Sequence, residues 1–354
     1  MKHIPSLNGF RAISVLLVIS QHLSTKNQIF KGLYNLNWPI LELPLKLIRD
    51  GQLGVNVFFI ISGYLITRLL ITEESQNGKI SLKNFYIRRS LRIFPPFYFL
   101  LFCYFVFQSF GLIDISKTAW VSSLTYTKYL FISGDWFTAH FWSLSIEEHF
   151  YLVWPFLFLL FKKQRSFLAV LIIGIPFLGR FFEHSQLDEN MFHSLSIFSR
   201  MDSLGIGCLL ALHYQKAMNW IERNKSWVLI TAITVILFTE YLTLVPASGK
   251  VALLFQVSGL QLGPVNSIAI AIILLFFTSP RTTWFYRFLN HKTMVWIGSI
   301  SYSLYLWQQF FISGSGHWYT DFPANLLLVF IASSVSFYLI EKPSLKLKHR
   351  FNKA

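Results

Sequence analysis

An arginine and a histidine interrupt an apolar stretch near the start of the chain. The segment FRAISVLLVISQHL contains Arg11 and His22, eleven residues apart. In an α-helix this spacing makes three full turns plus about 20° and rises about 16 Å, so both side chains lie on one face. Ionisable groups in apolar spans are costly and usually functional, which makes His22 a candidate general base. The alternative is an interfacial His22 and an Arg11 that snorkels to the headgroups.

A second polar group opens another apolar run, FWSLSIEEHFY. Ser143, Glu147 and Tyr151 recur at every fourth residue, so they share one helical face, and Glu148 is adjacent to it. We expect Glu147 at the same membrane depth as His22, where a carboxylate would fix the imidazole tautomer and stabilise its protonated form. A purely structural pair that holds two helices together is the alternative.

Paired arginines form a third group, in the segment RRSLRIFPPFY. Arg89 and Arg92 are one turn apart, so both can face a single anionic ligand, and guanidinium is well shaped for phosphate. Ordinary charge anchoring at the cytoplasmic face is the alternative. No HExxH motif or comparable ligand spacing occurs, and both cysteines lie in apolar runs, so the sequence predicts no metal.

The elements that position these groups are predicted to be membrane-spanning helices. Of the 354 residues, 54% are hydrophobic and 13% are charged, with a mean hydropathy of +0.49, which is far above the value typical of a soluble domain. The sequence therefore predicts an all-α polytopic integral membrane protein with about ten transmembrane helices. They are expected near residues 8–24, 51–71, 92–111, 141–161, 166–182, 200–215, 227–246, 253–278, 293–313 and 323–341.

The distribution of basic residues predicts the orientation. With the N-terminus inside, most of the 31 lysines and arginines fall on the cytoplasmic side. Both termini are therefore expected in the cytoplasm, and the net charge of +15 reflects topology rather than a nucleic-acid partner. We expect one transmembrane domain over residues 1–341 and a short basic cytoplasmic tail over 342–354.

Taken together and in order, these motifs resemble the acyltransferase 3 family of multi-pass membrane acyltransferases, which includes bacterial polysaccharide O-acetyltransferases. The resemblance spans nearly the whole chain and is carried by the Arg11 and His22 pair, GVNVFFIISGYLI, the arginine pair, WSLSIEEHFY, RMDSLGIGCLLA, SYSLYLWQ and YLIEKP. One departure is Gln308, where family members often carry histidine, and it puts a catalytic role of that position in doubt. The chain resembles the stand-alone form of the family.

The resemblance implies an activity and a set of roles. An acyl group, commonly acetyl, would move from cytoplasmic acyl-CoA to a hydroxyl of a cell-surface polysaccharide or lipid-linked sugar at the bacterial inner membrane. Acetyl-CoA or another acyl-CoA would be a co-substrate, with no bound cofactor. His22 would act as general base or carry the acyl group, with Glu147 orienting it. Arg89, Arg92 and Arg11 would hold the nucleotide phosphates.

Further polar residues are weaker candidates for binding the acceptor or supporting the site. Ser143 and Tyr151 share the face of Glu147. Arg200 and Asp202 begin the sixth predicted span and could bind the acceptor or pair with each other. Ser62 and Tyr302 reach mid-membrane depth, where they could line a channel or hydrogen-bond neighbouring helices.

A transporter is the rival function. Arg11, His22 and Glu147 could form a proton-coupled relay in a transporter or flippase of a glycan or lipid-linked sugar. The sequence shows no repeat relating two halves, and the arginine pair lies where a nucleotide would dock, which favours the acyltransferase.

Overall fold

The structure of the chain is a computed structural model that describes residues 5–27, 39–131, 135–184, 201–242, 244 and 263–351. All regular elements of these residues are helical and none is a strand, which confirms the predicted all-α class. The α-helices are α1 (Pro5–Lys26), α2 (Pro39–Ile48), α3 (Gly51–Asn77), α4 (Leu82–Ser109), α5 (Lys117–Leu124), α6 (Phe141–Leu160), α7 (Arg165–His184), α8 (Met201–Leu212), α9 (Tyr214–Arg223), α10 (Lys225–Leu242), α11 (Pro264–Phe276), α12 (Trp284–Leu289), α13 (Lys292–Ser299), α14 (Ser301–Phe311), α15 (Ala324–Ser336) and α16 (Lys342–Leu347).

Several of these helices could cross a membrane. Three of the described helices are long and apolar enough by length and composition, namely α3, α4 and the continuous helix Ala324–Leu347. A fourth span results if the bent pair Tyr214–Arg223 and Trp227–Leu242, which meet at 101°, is one crossing. These findings support a membrane protein, whereas the count of ten spans and the orientation of the termini stay predictions.

The last two predicted spans differ in detail from the helices observed. The predicted span 293–313 is divided into α13 and α14 at Ile300, which lies between two serines, a residue type that competes with helical backbone hydrogen bonds. The predicted span 323–341 continues to Leu347, because a π-helical segment, Phe337–Glu341, joins α15 to α16. The residues taken as the start of a tail are thus helical.

Two compact units make up the chain, and several helices contribute to both. The first unit contains residues 1–20, 36–72 and 153–298, and the second contains residues 21–35, 73–152 and 299–354. The division of the sequence into a membrane domain and a tail is not tested by these units and stays a prediction.

Glycines allow backbones to touch in the first unit. A Cβ atom added to Gly63 on α3 would lie 2.1 Å from the carbonyl oxygen of Leu204 on α8, and one added to Gly207 would lie 2.3 Å from the carbonyl oxygen of Ile60. Such close approach is the usual way in which membrane helices gain packing energy, because lipid provides no hydrophobic drive between them. The α3–α8 contact therefore depends on glycine from both sides.

We expect Gly63→Ala to destabilise the protein by about 1–3 kcal/mol, because the added methyl group forces α3 and α8 apart. Thermal unfolding of the detergent-solubilised protein measures the effect. Gly174→Ala is the matched control, since a Cβ atom at this position in α7 meets no atom within 4 Å. Equal loss of stability in both variants would contradict the assigned role of the α3–α8 contact.

Candidate active site

His22 lies near the C-terminal end of α1, and its side chain is only partly buried. Its Nδ1 atom is 2.7 Å from Oε1 of Gln308 on α14, and Gln308 is completely buried. Both residues belong to the second unit. The imidazole is therefore held by a carboxamide while part of its surface stays accessible.

Trp136 packs beside this pair. Its ring lies edge-on to His22, with centroids 5.4 Å apart and planes at 71°. Its Nε1 atom donates a hydrogen bond to the carbonyl oxygen of Gln309 at 2.8 Å, and the ammonium group of Lys26 lies 4.3 Å from the ring centroid. Trp136 thus connects the end of α1 to α14 and limits the orientations open to the imidazole.

A buried ion pair anchors the segment that carries Trp136. Nζ of Lys128 donates to Oγ1 of Thr138 at 2.6 Å and lies 3.5 Å from Oδ2 of Asp135. The Asp135 carboxylate also accepts hydrogen bonds from the amides of Phe137 at 3.3 Å and Thr138 at 3.1 Å. Burial lowers the pKa of Lys128, and the Asp135 carboxylate opposes this shift. Lys128, Asp135 and Thr138 therefore fix the backbone on both sides of Trp136.

His140 is a second histidine in this part of the protein. It is 4% exposed, interacts electrostatically with His22, and its ring lies 5.3 Å from that of Tyr305 on α14. The hydroxyl of Tyr305 donates to the carbonyl oxygen of His140 at 2.9 Å and lies 2.6 Å from Oγ of Ser143. We name His22, Trp136, His140 and Gln308 the histidine cluster.

One buried polar atom of the histidine cluster, Nε2 of Gln308, makes no hydrogen bond to the described residues. Leaving one buried polar group unsatisfied costs about 1–3 kcal/mol, so native proteins tolerate few of them. The buried His140 ring interacts with the backbone of Leu306 and the side chain of Gln309. Gln308 therefore keeps an unused hydrogen-bond donor beside a partly accessible imidazole.

Polar side chains lead away from the histidine cluster along α14. Tyr302, Tyr305 and Gln308 are spaced three residues apart and therefore lie along one side of the helix. The hydroxyl of Tyr302 donates to the carbonyl oxygen of Ile93 on α4 at 3.0 Å, one residue away from Arg92. These three α14 residues together with Ser143 form a polar track towards the arginine pair.

The arginine pair lies at the other end of the polar track. The guanidinium carbon of Arg89 is 3.6 Å from the centroid of the Tyr151 ring, and its buried Nε atom has no hydrogen-bond partner among the described residues. Arg92 interacts electrostatically with Arg89, Glu341 and Glu147. Both guanidinium side chains are partly exposed. We name Arg89, Arg92 and Tyr151 the arginine cluster.

The distance between the two clusters follows from α6. His140 directly precedes this helix and Tyr151 lies eleven residues further along it, which corresponds to a rise of about 16 Å. His140 belongs to the histidine cluster, and Tyr151 supports Arg89. In the second unit, His140 of the histidine cluster and Tyr151 of the arginine cluster are therefore about 16 Å apart along the direction of α6.

The neighbouring arginine, Arg88, has a different environment. Its Nη2 atom is 2.5 Å from Oε2 of Glu73, and its Nη1 atom donates to the carbonyl oxygen of Phe351 at 2.9 Å. These contacts tie the start of α4 to the end of α3 and to the C-terminal segment. Arg88 is therefore engaged within the protein, whereas the ligand-binding roles of Arg89 and Arg92 stay predictions.

Glu147 and Gln308 differ from the expectation in their surroundings. The sequence predicts that Glu147 orients His22, whereas the hydrogen-bonded side chain that the structure places at His22 is Gln308. Glu147 exerts its charge on Arg92 and on Tyr302. The orienting role of Glu147 stays a prediction. Gln308, which the sequence analysis noted only as a departure from the family pattern, contacts the imidazole directly.

The remaining candidates lie in the first unit or outside the described residues. Nη1 of Arg11 is 3.4 Å from Oδ1 of Asn8 on the same helix. Asp202 is 1% exposed, and its carboxylate accepts a hydrogen bond from the following amide at 2.8 Å. Ser62 lies on α3 and is partly buried, and Arg200 lies outside the described residues. The functional roles of all four stay predictions.

His140 and the Lys128–Asp135 pair were not identified from the sequence. The available signal was local: His140 and Asp135 directly precede the WSLSIEEHFY motif in the segment DWFTAHFW. Within the described residues, no group of three or more histidine, cysteine, aspartate or glutamate side chains could hold a metal ion.

Comparison with known proteins gives a consistent result. The family model described as "Acyltransferase domain" matches residues 4–340. The peptidoglycan O-acetyltransferase OatA of Listeria monocytogenes is 28% identical over 337 residues, which cover 86% of this chain and 49% of the relative. The O-acetyltransferase OatA of Staphylococcus aureus is 28% identical over 368 residues, which cover 97% of this chain and 57% of the relative.

The chain thus spans about half the length of the curated relatives it matches. No solved structure matches the chain.

We expect Asp135→Asn to destabilise the protein by about 3 kcal/mol, because it leaves the buried Lys128 ammonium without its carboxylate. Thermal unfolding in detergent measures the loss. The double variant with Lys128→Met and Asp135→Leu should recover much of it, since an apolar pair requires no charge compensation. Asp114→Asn, at an exposed position between α4 and α5, is the control, and an Asp135→Asn variant as stable as this control would refute the anchoring role.

Proposed function

We propose that this chain, which belongs to the acyltransferase family matched over residues 4–340, is an O-acetyltransferase of the bacterial inner membrane. It would transfer an acyl group from cytoplasmic acyl-CoA to a hydroxyl of a cell-surface polysaccharide or lipid-linked sugar. The observation that carries the proposal is the presence, within one compact unit, of a partly exposed imidazole in the histidine cluster and two partly exposed arginines in the arginine cluster. Two members of these clusters, His140 and Tyr151, are about 16 Å apart along α6.

The arginine cluster is the proposed donor site. Arg89 and Arg92 present guanidiniums one helical turn apart, and planar guanidinium suits bidentate contact with phosphate. Arg89 is held over Tyr151, so less side-chain freedom is lost when a ligand binds. Glu147 and Glu341 reduce the repulsion between the two cations. The addition of Arg11 to this donor site stays a prediction from sequence spacing.

The polar track is the proposed path of the acyl-bearing arm. An extended pantetheine arm is comparable in length to the rise between the two clusters. With the nucleotide phosphates at Arg89 and Arg92, the thioester would lie near His22. Tyr302, Tyr305 and Ser143 carry hydroxyls along this path and suit the amides of such an arm.

The proposed chemistry is general-base acyl transfer at the histidine cluster. His22 takes the proton of the acceptor hydroxyl while the hydroxyl oxygen attacks the thioester carbonyl carbon. The carbon–sulfur bond then breaks, the ester forms, and the CoA sulfur receives the proton. The same residues suit a two-step order in which the imidazole carries the acyl group before the acceptor attacks.

A glycan acceptor is supported by the relatives, one of which is named as a peptidoglycan O-acetyltransferase. Two aromatic rings near His22 are occupied by the protein's own side chains, since Trp136 has Lys26 on its ring and Phe137 packs near Tyr104 and Phe310. The Nε2 donor of Gln308, which has no partner among the described residues, lies beside His22 and suits a hydroxyl of an acceptor.

We expect the purified protein to release free CoA from acetyl-CoA when a glycan acceptor is present, whereas a transporter or flippase would release none. His22→Ala should lower the rate by at least about 100-fold, because the general base is lost. A thiol-reactive dye measures the released CoA. His317→Ala, at an exposed loop position, should keep the wild-type rate, and full activity of His22→Ala would refute the catalytic assignment.

We expect the double variant Arg89→Ala with Arg92→Ala to raise the KM for acetyl-CoA by about 10- to 100-fold, because charge-assisted contacts with the phosphates are lost. Initial rates at varied acetyl-CoA concentration measure the change. Lys83→Ala removes an exposed cation from the first turn of the same helix and controls for net charge. An unchanged KM in the double variant would make the two arginines structural anchors only.

A further inference from the structure

We propose that Gln308 is a positioning residue that holds the His22 imidazole with its proton on Nδ1 and its lone pair on Nε2. Its catalytic consequence rests on the proposed function, in which His22 is the general base. The contact itself is a property of the structure and can be tested without turnover.

The geometry of the contact selects the tautomer. A neutral imidazole carries one N–H group and one basic nitrogen, and a carboxamide oxygen can only accept a hydrogen bond. Because Oε1 of Gln308 lies 2.7 Å from Nδ1 of His22, Nδ1 is the donor. Nε2, on the opposite side of the ring, is then the atom that can take a proton from an acceptor hydroxyl.

The surroundings of Gln308 keep its carboxamide in place. The side chain is completely buried, and the preceding turn of α14 is fixed by the hydrogen bonds of Tyr305 to Ser143 and to the backbone of His140. On the following residue, the Gln309 carbonyl oxygen is bound by Trp136, whose ring also contacts His22. Trp136 therefore contacts both the imidazole and the backbone next to the carboxamide.

A neutral partner has a specific electrostatic consequence. A carboxylate at this position would orient the ring and also stabilise the imidazolium, whereas the carboxamide orients the ring without adding charge. His22 therefore remains neutral, and able to accept a proton, at lower pH than it would beside a carboxylate. The contact with Gln308 thus orients the His22 ring without placing a charge next to it.

Other titratable groups lie in and around the histidine cluster. Its own helix contributes Lys26, which lies against Trp136. The segment before α6 contributes His140, with Lys128 behind it, and α14 contributes Tyr305. Glu147 lies on α6, two residues beyond Ser145. All of these groups are retained in variants of Gln308, so a difference between such variants reports on the carboxamide.

The first test measures the ionisation of His22 directly. Diethyl pyrocarbonate modifies only unprotonated imidazole, so the extent of His22 modification against pH, followed by peptide mass spectrometry, gives its midpoint. Gln308→Glu should raise this midpoint by about one pH unit or more, because the new carboxylate stabilises the imidazolium. Gln76→Glu, at an exposed position in α3, adds the same charge at a different site and should leave the midpoint unchanged.

The second test uses the pH profile of CoA release. Gln308→Met keeps the side-chain length but removes the carboxamide oxygen that accepts the hydrogen bond of His22. This variant should lower kcat at least about tenfold while the KM for acetyl-CoA stays unchanged. That combination is expected for the loss of an interaction that matters only in the transition state. Gln308→Glu should remain active and shift the acid limb of the profile upwards. Gln308→Asn retains the carboxamide but not its reach, and should behave like Gln308→Met.

The outcomes separate this inference from the proposed function. A His22 midpoint in Gln308→Glu equal to that of the wild type overturns the contact, whether or not the protein turns over acetyl-CoA. Wild-type kcat in Gln308→Met or Gln308→Asn overturns the positioning role alone. If the wild-type protein releases no CoA, the proposed function fails, while a raised midpoint in Gln308→Glu still supports the contact.

Discussion

Polar groups buried among apolar helices must find partners inside the protein, because hydrocarbon offers no hydrogen bonds. Most polar side chains of the second unit meet this requirement locally, as Tyr302 does with the backbone at Ile93 and Ser303 with the Glu341 carboxylate at 2.8 Å. Two of the exceptions lie in the candidate site, namely Nε2 of Gln308 beside His22 and Nε of Arg89. Both clusters therefore contain a buried donor that packing alone leaves unsatisfied.

The fixed rise of an α-helix connects this cluster to the arginines. His140 directly precedes α6, Tyr151 lies eleven residues further along it, and the two residues belong to different clusters. The same rise of about 16 Å separates Arg11 from His22 along α1. In the proposed function, a long, flexible substrate arm would bridge this distance without a movement of the two clusters towards each other.

The environment of the imidazole shows how charge is distributed in the second unit. A neutral carboxamide contacts His22, and the ionised pair of this region, Lys128 and Asp135, lies one step away in the segment that anchors Trp136. The acidic residue Glu147 exerts its charge on Arg92. Positive charge at the arginine pair is therefore offset by carboxylates, while the group that contacts the imidazole carries no charge.

The sequence by itself determined the family, the helical class and most candidate residues. Apolar runs interrupted by Arg11, His22 and the arginine pair are sufficient for this, because helical periodicity is local and intramembrane charges are rare. The stack of Arg89 on Tyr151 was not predicted, although both residues were already candidates. Arg89 and Tyr151 could be identified as candidates without knowing which helices are neighbours.

Only the tertiary structure decided which side chains meet. Gln308 was a mere departure from a motif, and His140 was not considered, yet both lie in the histidine cluster. Their contacts join the ends of α1 and α14 and the segment before α6, which are far apart in the chain. The spacing of residues along one helix fixes the direction and the depth of their side chains. Which side chain of another helix they contact depends on how the helices pack. Packing is decided by the sum of many side-chain contacts, which no local sequence pattern encodes.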